Sequence, residues 1–433
     1  MEIFNSFLCG KIMPFLLIFL GLFFAFKLKF FYIFHPIKTI KQTLNGQHGG
    51  FKSLTVALAG TLGVGNIVGV ASAISLGGAG SVFWMWISAL CAMSVKYAEV
   101  YLAMIFRKEN GCHFYGGAPY YIKEGLRRKI GLKHAYFLSI IFAIFCVINS
   151  LTTGNLVQVN SVSSILPISP ILFGIIFTVF SFFVISGGVT RISNITAILI
   201  PLLSTVYILI CVFIISKEFV QVPSIVKTIL FDAFSLKSAS SGFMGYGISA
   251  AIRFGVSRGV LSNEAGCGTS PAAHASSKNT DPHTQACLGI FEVFVDTILL
   301  CSLTAFVILL SGQESGQSPM SLVICAFEQY TGKLGGGLIA FLSISFAFAT
   351  VICQYFYGCE ALSFISKNEK LKSIFLVIFC SVIVIGAVLP MNIMWQISDL
   401  AIAVMTIINL ICLFLLRNKI TKIAVLKSTA ILL

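Results

Sequence analysis

Two short runs hold most of the residues in this chain that could cradle a ligand. The first is Gly60-Thr-Leu-Gly-Val-Gly-Asn-Ile-Val-Gly69, with glycines at 60, 63, 65 and 69 around Asn66. The second is Gly259-Val-Leu-Ser-Asn-Glu-Ala-Gly-Cys-Gly268, with Ser262, Asn263 and Glu264 set between glycines. Both interrupt strongly apolar sequence. Unwound backbone carries N–H and C=O groups that hydrocarbon cannot satisfy, so such a break persists only where it lines a polar cavity or binds something. Paired breaks in corresponding places point to the binding site of a secondary transporter. A close helix contact of the Gly-x-x-x-Gly kind is the alternative for the first run. Against it, the glycines are denser than packing needs, and each costs about 1 kcal/mol relative to alanine inside a helix.

The chemistry on offer is that of a zwitterion with a metal cation. Amides freed at 63 to 67 suit a carboxylate, carbonyls near 59 to 63 suit a cation, and opposed helix ends supply partial charges of both signs. Gln158 and Asn160 lie where they reach a midplane cavity or bond between helices. Ser343, Ser345 and Thr350 fall on roughly one side of a late span, and hydroxyls of this kind ligate a small hard cation or bond their own helix. Lys96 and Glu99 stand three apart, a spacing that predicts an intrahelical pair. Glu264, preceded by Arg253 and Arg258, predicts an ion pair that acts as a cytoplasmic gate or as a static tie. Asp296, Glu360 and Asp399 are further isolated acids in or near apolar spans, each a proton carrier or a local cap.

The elements that must position these groups are membrane helices. Of 433 residues 57% are apolar and 10% charged, with a mean hydropathy of +0.97, a balance that excludes an ordinary soluble domain. Segments long enough to cross roughly 30 Å of hydrocarbon are read at 12 to 34, 55 to 75, 81 to 106, 135 to 165, 170 to 187 and 193 to 216. A second set is read at 241 to 275, 284 to 311, 337 to 365, 372 to 389 and 395 to 416. The pattern is about 11 transmembrane helices, one plus five plus five. The net charge of +14 does not imply nucleic acid, because most of the Lys and Arg residues fall in loops on one face, the cytoplasmic one. That bias places the N-terminus outside and the C-terminus in the cytoplasm. Residues 217 to 240 read as an outer loop with a short amphipathic helix. The thirteen cysteines show no metal or disulfide spacing and read as packing residues. No phosphate-binding loop stands in the chain, and no zinc-protease or serine-hydrolase motif supports an intramembrane enzyme.

The blocks Gly60 to Ala71 and Ala73 to Ile87, Lys96-Tyr-Ala-Glu99, Gly116-Gly-Ala-Pro-Tyr-Tyr-Ile122, Arg258 to Gly266, Pro271-Ala-Ala-His-Ala275 and Glu292-Val-Phe-Val-Asp-Thr297 together resemble the alanine or glycine:cation symporter family. The resemblance runs from about residue 50 to 416. It implies an all-α polytopic fold of the leucine-transporter type, a five-plus-five inverted repeat with one extra N-terminal helix. It also implies cotransport of a small amino acid with sodium, no further cofactor and no obligatory protein partner. By the same resemblance Gly65, Asn66, Gln158, Leu261, Thr350 and Gln354 bind substrate; the freed amides add Gly63 to them, and the carbonyls and hydroxyls read above give Gly60, Gly63, Ser345 and Thr350 as the expected cation site. Two positions depart from the family's pattern. Gln354 stands where a Trp is expected and Leu261 where Phe is common, so the side-chain pocket is wider and more polar, suited to serine, threonine or glutamine as well as alanine. Ala349 stands where a second hydroxyl would strengthen a sodium site.

The expected organisation is therefore an N-terminal helix and cytoplasmic link over 1–50, a first five-helix repeat over 51–216, an outer loop and second repeat over 217–416, and a short basic cytoplasmic tail over 417–433. The expected activity is sodium-coupled import of a small neutral amino acid across the inner plasma membrane by alternating access. Coupling to protons is the nearest alternative; an intramembrane enzyme and a non-transporting sensor are more distant ones.

Overall fold

A computed structural model describes residues 7–36, 48–110, 113–235, 246–278, 281–312 and 318–432. Nearly all of it is helix. The helices in chain order are α1 (Leu8–Lys27), α2 (His48–Thr61), α3 (Val68–Gly77), α4 (Gly80–Ile105), α5 (Ala118–Ile130), α6 (Leu132–Ser163), α7 (Pro170–Ile185), α8 (Gly188–Lys217) and α9 (Val222–Asp232). They continue with α10 (Tyr246–Asn263), α11 (Pro271–Ala275), α12 (Pro282–Ser311), α13 (Pro319–Ile365), α14 (Glu369–Val388) and α15 (Met391–Leu432). One antiparallel ribbon, β1 (Lys108–Asn110) with β2 (His113–Tyr115), pairs Lys108 with Tyr115 in the loop before α5. That ribbon is a small departure from the all-α expectation.

Local sequence sets where several helices begin. Pro170, Pro282 and Pro319 open α7, α12 and α13, where a missing N–H costs nothing. Ahead of each stands a cap: the side chains of Ser169, Asp281 and Ser318 accept from the N–H groups of Leu172, Thr284 and Ser321 at 3.2, 3.0 and 3.3 Å. Asn368 caps α14 through the Lys370 N–H at 3.0 Å. Each such cap stabilises its helix by about 1 kcal/mol.

Among the described residues eight helices are long and apolar enough to cross a membrane, and nine if the bent pair α2 and α3 is one span. The expectation of about eleven is not met by that criterion. The other two predicted spans correspond to α7, which is apolar but only 16 residues long, and to α10, whose glycines and arginines dilute its hydropathy. Residues 241–245 and the link over 37–47 lie outside the described residues, as does part of the predicted outer loop. Within that loop the apolar run forms α9, which buries Ile229 and receives the Trp84 indole N–H on the Ala233 carbonyl at 3.2 Å. The predicted tail is helical, since α15 continues to Leu432.

Burial and hydropathy run in opposite directions across the bundle. The most apolar window of α4 has a hydropathy of only 1.2 and is 89% buried, whereas those of α8 and α14 reach 2.9 and 2.6 and are 28% buried. Outer helices meet lipid and need apolar side chains all round, as Ile198, Leu209 and Val377 show by their exposure. The inner helix faces polar partners and carries Ser88, Ser94, Lys96 and Glu99 fully buried. A multi-pass membrane protein with a polar centre is the result.

Candidate functional site

The two glycine runs both break their helices. After α2 the chain leaves helical geometry at Leu62 and Gly63, makes one 3-10 turn over Val64–Asn66 and re-enters helix as α3, with a bend of 60°. After α10 it leaves helical geometry at Glu264, whose φ is +50°, and resumes at α11. The breaks touch. The Asn66 amide donates to Ser262 Oγ at 2.9 Å, and the Gln354 amide donates to Glu264 Oε1 at 2.7 Å and to the Gly60 carbonyl at 3.4 Å.

Between them lies a cavity. Gly60, Thr61, Val64 and Gly65 line it from the first break, and Thr153, Val157 and Gln158 line it from α6. Leu261 and Glu264 close it from the second break, and Trp395 from the start of α15. A π-helical turn over Thr152–Leu156 widens α6 at this point. Gln158 spans the turn, accepting from the Val64 N–H at 3.0 Å and donating to the Thr153 carbonyl at 3.3 Å. Asn66 Oδ1 accepts from the Gly63 N–H at 3.2 Å. Two of the amides expected to hold a carboxylate are thus capped by side-chain carbonyls. Gly63 must lack a side chain, since a Cβ there would lie 2.6 Å from both Gln158 Oε1 and Thr350 Oγ1.

Around the first break the structure brings together Gly60, Gly63, Gly65, Asn66, Gln158, Leu261, Thr350 and Gln354. Thr350 Oγ1 donates to the Leu62 carbonyl at 3.2 Å. Gln354 faces Glu264 rather than the cavity itself, so any polarity it lends acts through that carboxylate. Ser345 does not join them: its hydroxyl donates to the Phe341 carbonyl of its own helix at 2.9 Å on a partly exposed face. Asn160 is likewise structural, donating to the Gly386 and Leu389 carbonyls at 2.9 and 2.8 Å.

Both predicted ion pairs are corrected. Lys96 does not bridge to Glu99; it reaches across to Glu292 Oε1 at 3.2 Å and to Ser270 Oγ at 2.7 Å, while Glu99 accepts from the Asn409 amide. Helical spacing permits a pair, but the longer reach also satisfies Glu292, whose second oxygen contacts His274 Nε2 at 2.9 Å. Arg258 does not pair with Glu264 either. It lies within α10, before the break, 3.7 Å from Asp399 Oδ1 and stacked over the Trp395 ring at 4.5 Å. Arg253 and Arg258 both lie within α10.

Sequence reasoning left Asp296 as an isolated acid, yet its side chain knots the two breaks together. Asp296 Oδ1 accepts from the Asn66 amide at 2.8 Å, and Oδ2 from Ser262 Oγ and Thr297 Oγ1 at 2.8 and 2.7 Å. The available signal was a polar stripe in an apolar segment, Glu292 and Asp296 at helical spacing with Thr297. On the other side of the second break, Thr269, Ala272, Tyr357 and Glu360 line a second hollow.

The model of the sodium:alanine symporter family matches residues 1–427. The chain belongs to that family. It is accordingly a sodium-coupled amino-acid transporter, not an enzyme. The sodium/alanine symporter AgcS of Methanococcus maripaludis is 34% identical, with 96% of this chain and 93% of that protein covered. The probable sodium/glutamine symporter GlnT of Bacillus subtilis is 31% identical over 96% of this chain and 87% of its own length. An uncharacterized transporter of Haemophilus influenzae is 35% identical over 86% and 78%. A solved outward-open structure of a Na+-coupled sialic acid symporter shares 14% identity over 96% of this chain and 84% of its own, with a TM-score of 0.48, a likeness too distant to bear on the site.

Proposed function

We propose that this symporter imports a small neutral amino acid with sodium across the inner plasma membrane, by alternating access between two five-helix repeats (51–216 and 217–416) of inverted topology. The N-terminus lies outside and the C-terminus in the cytoplasm. The observation that carries the reading is the cavity closed by two touching helix breaks, in which backbone amides are held by side-chain carbonyls. Gln158 Oε1 sits on the Val64 N–H where a substrate carboxylate oxygen would sit. A substrate carboxylate takes its place, and the ammonium turns to Glu264 and the carbonyl ends of α2. Gly60, Gly63 and Thr350, with the Leu62 carbonyl, supply the cation site; Ser345 is excluded from it by its own helix bond.

The substrate has a short or amide-bearing side chain. Leu261 leaves more room than an aromatic residue, and Glu264, fixed by Gln354 and Thr269, presents acceptors to a hydroxyl or carboxamide donor. Relatives named for alanine and for glutamine bracket that choice. Energetically, 100 mV contributes about 2.3 kcal/mol per charge moved, and a tenfold sodium gradient about 1.4 kcal/mol. The test is uptake into proteoliposomes at fixed pH with sodium replaced by choline, run for alanine, glycine, serine, threonine and glutamine. Uptake that vanishes in choline supports sodium symport; undiminished uptake that follows a pH gradient replaces it with proton coupling.

A further inference from the structure

Positive charge in this protein is unevenly answered. From residue 125 to 217 and from 400 to 433 the chain holds no Asp or Glu, yet Arg127, Arg128, Lys129, Lys133, Arg417, Lys419, Lys422 and Lys427 all fall there. Three helix ends carrying the first six of these meet at one edge. Lys129, at the end of α5, donates to the Leu415 carbonyl of α15, and Gly125 lies so close to α15 that a Cβ there would sit 2.9 Å from the Leu416 methyl carbons. Gly131 alone joins α5 to α6, which brings Lys133 alongside. Glu124, the nearest acid along the chain, is held by Lys108 at 3.0 Å. Among the described residues no ion pair reaches Arg127, Arg128, Lys129, Lys133 or Lys419.

Helix C-termini attract cations, and that alone accounts for Arg127, Arg128 and Lys129 in the last turn of α5. It does not account for Lys133, which stands in the first turn of α6 where the helix dipole opposes it, or for Lys419. The position of the edge explains both. Leu132, Tyr136 and Phe137 of α6 are 46%, 42% and 66% exposed. Exposed aromatic side chains at the end of a membrane helix mark the border of the hydrocarbon, and at about 1.5 Å per residue the charges lie within a turn or two of it, at headgroup depth. α5 itself buries Tyr121, Ile122 and Leu126 and turns its basic residues outward, the form of a helix that lies along a membrane surface.

We propose that this edge binds the phosphate headgroup of an anionic phospholipid, held between Arg127 and Arg128 of α5, Lys133 of α6 and Lys419 of α15. Clusters of about four to eight Lys and Arg beside a membrane helix suit such lipids, and a guanidinium meets a phosphate through two parallel hydrogen bonds. The site needs neither the substrate nor the ion of the symport reading. Its consequence falls on the second break. Tyr121 of α5 donates to Asn409 of α15, and the Asn409 amide donates to the Gly266 carbonyl at 2.9 Å. Before α5, Gly117 packs on α11, where a Cβ would lie 3.3 Å from that of Ala272. A lipid that ties α5 to α15 therefore clamps the frame around the second break.

The test is thermal unfolding of the purified full chain in neutral detergent, free of amino acid and sodium, as phosphatidylglycerol, phosphatidylcholine or potassium phosphate is added. A ligand of the native state raises its stability by mass action. Phosphatidylglycerol should raise Tm to a plateau, and the rise should shrink as potassium chloride is added; the other two should leave Tm as it was. The variant Arg127→Gln/Arg128→Gln/Lys133→Gln/Lys419→Gln should need at least about ten times more phosphatidylglycerol for the same rise. Should it fail to fold, Arg127→Gln/Arg128→Gln replaces it and should lose part of the response. Lys367→Gln/Lys370→Gln, on an exposed loop that also carries Glu369, should respond as the wild type does. A rise of equal size with phosphatidylcholine, or an unchanged phosphatidylglycerol response in the basic-edge variants, overturns the proposal. An equal rise with potassium phosphate overturns it too, since the edge then takes a free anion and not a lipid. Because no substrate or sodium is present, none of these outcomes bears on the symport reading, which the choline replacement tests separately.

Discussion

The two helix breaks use glycine for opposite reasons. At the first, no residue from Gly60 to Gly69 has a positive φ, and Gly63 is there because Gln158 and Thr350 leave no room for a Cβ. At the second, Glu264 and Gly266 stand at φ of +50° and +87°, conformations that cost an L-residue energy and suit glycine. Their surroundings differ in the same way. Hydrogen bonds made by Asn66, Gln158 and Thr350 hold the first break, and apart from the one that Asn66 donates to Asp296 they join neutral groups, each worth about 1 kcal/mol net. The second is anchored by charge: Lys96, Glu292 and His274 lock α11 to α4 and α12, and Gln285 extends the chain to Ser53 at 2.6 Å. A strained turn tied by buried ions is a fixed frame. An unstrained one held mostly by exchangeable neutral bonds is the part that can trade its partners for a ligand.

The contrast breaks most sharply at Lys96. Lys96→Ala leaves Glu292 buried without its ammonium and should cost about 3–5 kcal/mol, read as a large fall in Tm; an unchanged Tm would show that charge does not anchor the second break. Next comes Gly63→Ala. Forcing a methyl between Gln158 and Thr350 should cost about 1–3 kcal/mol and lower kcat/KM for uptake at least about tenfold, while the second break stays intact. If uptake survives, the first break is not the moving contact.

Gln354→Leu removes the amide that joins Glu264 to Gly60 and leaves a buried carboxylate oxygen without that donor. The expected loss is about 1–3 kcal/mol, smaller than for Lys96→Ala, with a shift of substrate preference away from glutamine toward alanine in competition uptake. The smallest effect belongs to Ser345→Ala. A hydroxyl bonded to its own helix on a partly exposed face should change stability by less than about 0.5 kcal/mol and leave the sodium dependence of uptake as it was.

Hydropathy and glycine density made the breaks and the apolar helices legible, because unwound backbone in a membrane has few explanations; Gln158 and Thr350 were singled out by the family resemblance, since by residue type each reads equally as a bond within or between helices. The helix count was less legible: α7 is short, and α10 carries the arginines and glycines of the site. Pairing was least legible. Lys96 with Glu99 and Arg258 with Glu264 are the nearest charges along the chain, yet each cation found a partner on another helix. Ser345 and Thr350 looked alike in sequence and part company only because one faces the first break and the other faces outward.

The sequence by itself determined that helices cross a membrane and that two of them break, since hydropathy and glycine content act along the chain. The tertiary structure alone decided which buried charge answers which, and that among the described residues the Asp296 carboxylate is bonded by the neutral donors Asn66, Ser262 and Thr297. Ion pairing at a few ångströms depends on side chains brought together from α4, α10, α12 and α15, and no spacing along one helix encodes that approach.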